Sequence, residues 1–293
     1  MKKYSQLPNK LALVILLAAI STVLVLLYIR NDRTFDTLPN LPQRSLNDSW
    51  AEQTKVAVIG DSWVAGQKLD QAIRDSLKSA GIDAEVVSSG HPGAKSRQIL
   101  RDLIASKSEP YSSRSLLDDQ EIDYLVVLAG VNDTAGHIGA DFYAHHMFSI
   151  IKLAQSQGVF PIVVEVPEYG IEDTPSEGIL SYTKRLLYKA LFDNMRENVI
   201  TAYRHALKTK LDELGEETFA VVSFGPVVAD YSDSKDLYAN PSHLNKSGYI
   251  KLGKHIGKTI AGAHNKRMQA DTKPRGQINR CIPQFISRVV SCR

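Results

Sequence analysis

The stretch VAVIGDSW, residues 56–63, decides the fold because a short apolar run ends there in Gly-Asp-Ser. An apolar run of this length bounded by glycine is typical of a buried strand. In open α/β folds, ligands bind at the carboxyl ends of the parallel strands. Ser62 is therefore predicted at that edge, where a reactive serine needs a base and hydrogen-bond donors for an oxyanion.

Strands and helices alternate from residue 54 onward. Helical spacing of apolar residues predicts a long helical region over 179–214 and a final helix that begins near Tyr249. Continuously apolar strands separated by helices indicate a parallel sheet covered on both faces. We expect an α/β three-layer sandwich with a five-stranded, flavodoxin-like sheet over residues 54–263. The predicted strands are 54–59, 84–88, 124–129, 160–166 and 219–224.

The segment 11–28 has no charged residue and about the length that crosses a bilayer core. Residues 29–33 lack the small-residue site that follows a cleaved signal peptide. We therefore expect a transmembrane signal-anchor, with a cleaved signal as the alternative. Lysines in residues 1–10 favour a cytoplasmic N-terminus and an extracytoplasmic domain, and the polar residues 29–53 predict a linker.

Charge is unevenly distributed along the chain. Residues 1–33 carry +4 and residues 264–293 carry +6, which leaves −7 for the remainder of a chain with a formal net charge of +3. An acidic body argues against nucleic acid as a partner. The basic tail, 264–293, lacks periodicity and is predicted to be disordered. Its Cys281 and Cys292 have no zinc spacing.

Three further polar loops are predicted to lie at the same edge as Ser62. They are SSGHPGAKS at 88–96, GVND at 130–133 and NPSHLN at 240–245. Together with Gly-Asp-Ser, they resemble the sequence blocks of the SGNH, or GDSL-like, hydrolases, a family of esterases and lipases with a flavodoxin-like sandwich. The resemblance spans residues 54–262 and implies a serine esterase that needs no metal or other cofactor.

The resemblance also implies roles for individual residues. Ser62 matches the nucleophile and His243 the base. The oxyanion hole would consist of the Ser62 amide, the Gly93 amide and the Asn132 side chain, with Gly90 as the alternative to Gly93. A histidine base takes the serine proton and returns it to the leaving alcohol.

Asn240 departs from the family pattern, which has Asp three residues before the histidine. A neutral Asn cannot stabilise an imidazolium by charge, and its amide group can select the wrong tautomer. Three alternatives are open. In the first, the Asn240 oxygen orients the His243 ring. In the second, a backbone carbonyl or a carboxyl group from residues 230–236 takes the place of Asn240. In the third, catalysis is impaired. We keep Asn240 as a candidate catalytic residue.

Two further residues are candidates for substrate binding. Trp63 adjoins the nucleophile, and Arg97 follows the Gly93 loop and is suited to an anionic or sugar substrate. The predicted function is hydrolysis of a small acyl ester, such as an acetyl ester, on a glycan. The alternatives are an O-acyltransferase acting on a sugar and a glycan-binding module that has lost catalysis.

Overall fold

A parallel sheet with the strand order β2-β1-β3-β4-β5 forms the centre of the molecule. The computed structural model describes residues 9–39, 53–118, 122–174, 178–196 and 198–271. The strands of the sheet are β1 (Thr54–Gly60), β2 (Ala84–Gly90), β3 (Tyr124–Leu128), β4 (Phe160–Val164) and β5 (Ala220–Val222). This is the flavodoxin-like order, which confirms the predicted fold class.

Helices cover both faces of the sheet. Helices α2 and α9 pack together on one face, and α6 packs between α3 and α8 on the other. The strands β3 and β4 between these layers have no exposed residue, which accounts for their uninterrupted apolar sequence. The α-helices within the described residues are α1 (Asn9–Asp32), α2 (Asp70–Ser79), α3 (Ser96–Ile104), α4 (Arg114–Asp118), α5 (Val131–Ala135), α6 (Ala140–Ser156), α7 (Gly178–Phe192), α8 (Ile200–Leu211) and α9 (Lys246–Asp271).

Two features of the element order complete the sequence prediction. The helical region 179–214, for which the sequence allows one break, is divided into α7 and α8. A short antiparallel pair, β6 (Tyr238–Asn240) and β7 (His243–Leu244), precedes α9. This pair holds the loop 240–245 at the carboxyl edge of the sheet.

The predicted tail boundary at residue 264 is wrong, because α9 continues through that position to Asp271. The Arg267 guanidinium lies over the rings of Tyr124 and Phe160, 5.4 and 5.3 Å from their centroids. His264 Nδ1 lies 3.2 Å from the Tyr124 hydroxyl. Contacts with aromatic rings thus extend the helix into the polar segment. Cys281 and Cys292 lie outside the described residues.

Helix α1 contains the apolar segment predicted to span a membrane. The most apolar 18-residue window within Leu11–Asp32 has a mean hydropathy of 2.9, and none of that window is buried within the molecule. It is the one helix among the described residues that is long and apolar enough to cross a bilayer. The first part of the predicted linker is packed, since Leu38 contacts the core. Residues 40–52 lie outside the described part.

The ends of β1 and β2 come close to the turn that carries Ser62. Gly60 pairs with Gly90 across the two strands. A Cβ on Gly60 would lie 2.1 Å from the Leu128 carbonyl oxygen, and one on Gly90 would lie 2.3 Å from the Ala65 nitrogen. Because neither glycine has a Cβ, the turn that carries Ser62 can pack closely against the ends of the strands.

We expect Gly60→Ala to destabilise the fold by about 2–3 kcal/mol, because backbone atoms must move to admit the methyl group. This corresponds to a fall in Tm of roughly 4–12 °C for a domain of this size. Thermal unfolding of the full chain in detergent would measure it. The matched control is Gly262→Ala in α9, where a Cβ has nothing within 4 Å and alanine favours the helix. Equal melting temperatures for the two variants would contradict the packing argument.

Candidate active site

Ser62 lies in the turn after β1 and contacts His243, the first residue of β7. The distance from Ser62 Oγ to His243 Nε2 is 2.8 Å, a hydrogen-bonding distance. Both side chains are partly buried. The fold thus brings together the predicted nucleophile and base, which are 181 residues apart in sequence.

The other ring nitrogen of His243 faces Asn240. Asn240 Oδ1 lies 3.1 Å from His243 Nδ1 and accepts a 3.0 Å hydrogen bond from the backbone N–H of Ser242. A backbone N–H can only donate, so the Asn240 atom facing it is the oxygen. His243 Nδ1 must then carry the proton, which leaves Nε2 free to accept the Ser62 hydroxyl proton.

Asn240 therefore orients the ring through its carbonyl oxygen, which was one of the three alternatives. Among the described residues, Asp230, Asp233 and Asp236 make no hydrogen bond to His243. The side chain of Asp230 instead accepts the backbone N–H of Ser232.

Electrostatics around His243 favour the neutral ring. Burial lowers the pKa of His243 below its ordinary value of 6.5, and the positive charge of Lys68 lowers it further. Desolvation and a nearby cation both disfavour the imidazolium. The His243 ring is consequently mostly neutral at neutral pH, as a histidine base would need to be.

Two backbone N–H groups near Ser62 are suited to binding an oxyanion. Within the described residues, neither the Ser62 nor the Gly93 amide has an acceptor. Gly93 has φ +78°, and nothing lies within 4 Å of the position a Cβ would take. The alternative, Gly90, ends β2 and lies against Ala65, so Gly93 is better placed as the donor.

The Asn132 side chain is held by two acceptors. Its Nδ2 donates to Asp61 Oδ2 at 3.1 Å and to the Ala94 carbonyl at 3.0 Å. An amide NH₂ has two protons, so both are already engaged. Asn132 contributes to an oxyanion hole only if one of these bonds is shared or released.

Two buried carboxyl groups support this edge of the sheet. Asp61 accepts the Trp63 backbone N–H at 2.9 Å, and Asp133 accepts the Ser96 hydroxyl at 2.6 Å. Burial raises the pKa of Asp61 to about 7 and that of Asp133 to about 6. The sequence analysis did not identify Asp133 as a supporting residue, although it directly follows Asn132 at the strand end.

Trp63 has a structural role in place of the predicted substrate contact. Its side chain is fully buried and packs edge-on against Phe224 and Tyr249. Its Nε1 donates a 2.8 Å hydrogen bond to the Ser242 carbonyl. The indole therefore connects the turn that carries Ser62 with the segment that carries Ser242 and His243.

Arg97 contacts the N-terminal segment, and a substrate contact by this residue stays a prediction. Its guanidinium binds the Asp36 carboxylate and the carbonyls of Asn31 and Asp32, so it holds the segment after α1. For metals, the described residues contain no group of three or more His, Cys, Asp or Glu side chains able to hold an ion.

Comparisons with known proteins identify the fold. No family model and no curated protein matches the sequence. The lipase/acylhydrolase from Enterococcus faecalis is a similar solved structure, with 17% identity and a TM-score of 0.53 over 72% of this chain and 96% of that one. A carbohydrate esterase family 3 protein from Talaromyces cellulolyticus has 16% identity and a TM-score of 0.52 over 73% and 99%. The fold predicted from the four sequence blocks is thereby confirmed.

The geometry predicts how the reactivity of Ser62 depends on pH. A fluorophosphonate ester should modify Ser62 at a rate that rises with pH, with a midpoint below 6.5, because only neutral His243 accepts the serine proton. Asn240→Asp should move the midpoint to higher pH, because a carboxylate beside Nδ1 favours the imidazolium. Labelling rates of the full chain between pH 4 and 9 would measure both midpoints.

The matched control is Asp233→Asn, which changes an exposed side chain in the same loop region and should leave the midpoint unchanged. A wild-type midpoint above 6.5, or no shift in Asn240→Asp, would be incompatible with the arrangement of Asn240 and His243.

Proposed function

We propose that this chain, which has the fold of the SGNH hydrolases, is a membrane-anchored serine esterase. The observation that carries the proposal is the connected set Ser62, His243 and Asn240, with the base in the tautomer that nucleophilic catalysis requires. The set lies at the carboxyl edge of the sheet, where α/β folds bind ligands.

The proposed reaction begins when Ser62 Oγ attacks the ester carbonyl carbon. His243 Nε2 takes the hydroxyl proton, and the carbonyl π electrons move to oxygen to form a tetrahedral oxyanion. The amides of Ser62 and Gly93 donate to that oxyanion, joined by Asn132 once one of its N–H groups is released. Collapse breaks the bond to the alcohol, which takes the proton from His243. Water then attacks the acyl-enzyme by the same steps and releases the carboxylic acid.

Asn240 reduces the rate without preventing the reaction. In a serine protease, Asp→Asn costs about 10⁴ in turnover because it selects the wrong tautomer. The Asn240 oxygen faces Nδ1 here, so the tautomer is retained and only the charge is missing. A charged hydrogen bond exceeds a neutral one by about 1.4 kcal/mol, so the loss is about tenfold.

The anchor and the substrate form the finer part of the proposal. Helix α1 would span the membrane once and hold the domain outside the cytoplasm, in agreement with its length and the lysines that precede it. An acetyl ester on a sugar is the candidate substrate from the sequence. The fold shared with a carbohydrate esterase supports including acetylated sugars among the esters tested.

We expect Ser62→Ala to lower hydrolysis of a short-chain nitrophenyl ester by at least about 10³-fold, because no other group replaces the nucleophile. Asn240→Asp should raise kcat about tenfold by restoring the charge beside the imidazolium. Initial rates of the full chain in detergent would measure both effects. Ser232→Ala, a change at an exposed serine, is the matched control and should retain the wild-type rate.

Equal rates for wild type and Ser62→Ala would overturn the esterase proposal. Absence of turnover in wild type and in Asn240→Asp, with acetylated sugars as well as nitrophenyl esters, would also overturn it. Tight binding of an acetylated sugar without turnover would then support the glycan-binding module.

A further inference from the structure

The segment that follows α1 is fixed to the body of the molecule. The Asp36 carboxylate accepts hydrogen bonds from Arg97 Nε at 3.0 Å and Arg101 Nε at 2.7 Å. Its backbone contacts His145 and His146 of α6. Burial raises the pKa of Asp36, but the two guanidinium groups outweigh it and hold the pKa at about 2. The connection to α1 is therefore a docked segment.

The direction of this segment follows from its contacts along α6. Asp36 lies beside His146, Phe35 packs against Phe142 with ring centroids 5.2 Å apart, and Arg33 binds Asp141 at 2.7 Å. Helix α6 connects β3 to β4, so its first residue adjoins the carboxyl edge of the sheet. The chain thus approaches that edge as it is followed back toward α1, and α1 leaves the body on the side of Ser62.

Helix α7 begins with apolar side chains that no other described residue covers. Ile179, Leu180 and Tyr182 are 84%, 88% and 60% exposed. A helix of a water-soluble domain normally turns its apolar side toward the core, and a group of exposed apolar residues marks an interaction surface. We call Ile179, Leu180 and Tyr182 the apolar end of α7.

Contacts connect α7 to both the span and the active site. On one side, Lys184 binds Asp32 at 2.9 Å and the Tyr28 hydroxyl at 3.0 Å, at the end of α1. On the other side, Arg185 donates to the Thr174 carbonyl. The Thr174 hydroxyl lies 3.0 Å from that of Ser242, the neighbour of His243.

From these positions we infer that the active-site edge of the sheet faces the lipid bilayer, with the apolar end of α7 in the headgroup region beside the span. The occupant of this surface is lipid, because α7 is bound to the end of the helix that enters the membrane. Amphipathic segments of this kind bury their apolar side at the interface. The esters that reach Ser62 are then those carried at the bilayer surface. This last step rests on the proposed esterase activity, whereas the membrane contact rests only on the proposed anchor.

The membrane contact is tested by fluorescence on the full chain in vesicles. In a Cys281→Ser, Cys292→Ser background, Leu180→Cys is labelled with an environment-sensitive dye, and the lipids carry nitroxides near the headgroup. We expect blue-shifted emission and strong quenching. Lys78→Cys, an exposed position at the far end of α2, is the matched control and should be neither shifted nor quenched. Val25→Cys, within the span, reports insertion of the anchor.

The outcomes separate the inference from the anchor. If Val25→Cys is quenched and Leu180→Cys is not, the anchor is supported and the inference is wrong. A blue-shifted but unquenched Leu180→Cys would mean that protein, such as a second copy of the chain, covers α7, which also overturns the inference. If neither position is quenched, both the anchor and the inference fail.

A second arm tests the substrate class. Umbelliferyl palmitate is placed either in the vesicles that hold the protein or in separate, protein-free vesicles. We expect at least tenfold faster hydrolysis in the same vesicles, and equal rates would overturn the substrate inference. Loss of hydrolysis of soluble and vesicle-borne esters alike would instead be failure of the proposed esterase, with the quenching result unaffected.

Discussion

The arrangement of the active site depends on the carboxamide oxygen of Asn240. This atom accepts the Ser242 backbone N–H and faces His243 Nδ1, so a bond within one loop determines which nitrogen of the base carries the proton. The Trp63 indole donates to the carbonyl of the same Ser242. The backbone of Ser242 thus contacts both Asn240, which faces the His243 ring, and Trp63, which follows Ser62. Asn240 presents to Nδ1 an acceptor oxygen, as Asp would, but without the negative charge.

The carboxyl edge of the sheet combines rigid support with exposed donors. Buried Asp61 and Asp133 hold the loops beneath the site, while the Ser62 and Gly93 amides remain without acceptors among the described residues. The segment from α1 docks at this edge. An active site in this position, with a bilayer beside it, would act on esters at the membrane surface. Such esters would be substrates in addition to the acylated glycan expected from the sequence.

The central strands and the four polar loops were predictable because each depends on local sequence. Uninterrupted apolar runs encode buried parallel strands, and strand order places the following loops together. The ion pair between Asp36 and Arg97 was not predictable, since it joins residues 61 positions apart. In the sequence, each of them is typical of a charged side chain exposed to solvent. The burial of Trp63 depends on a carbonyl 179 residues away. The polar residues after 263 continue α9, where the Arg267 guanidinium lies over aromatic rings of β3 and β4. No local sequence pattern encodes that contact.

The most direct test of this account is the tautomer of His243 in the full chain. Nitrogen NMR of protein labelled with ¹⁵N-histidine, with the signal assigned through His243→Gln, distinguishes a protonated ring nitrogen from a bare one. At neutral pH we expect Nδ1 to carry the proton and Nε2 to be unprotonated. A neutral ring with the proton on Nε2 would contradict the account, because Asn240 would then present its NH₂ group to the ring and Ser62 would have no base.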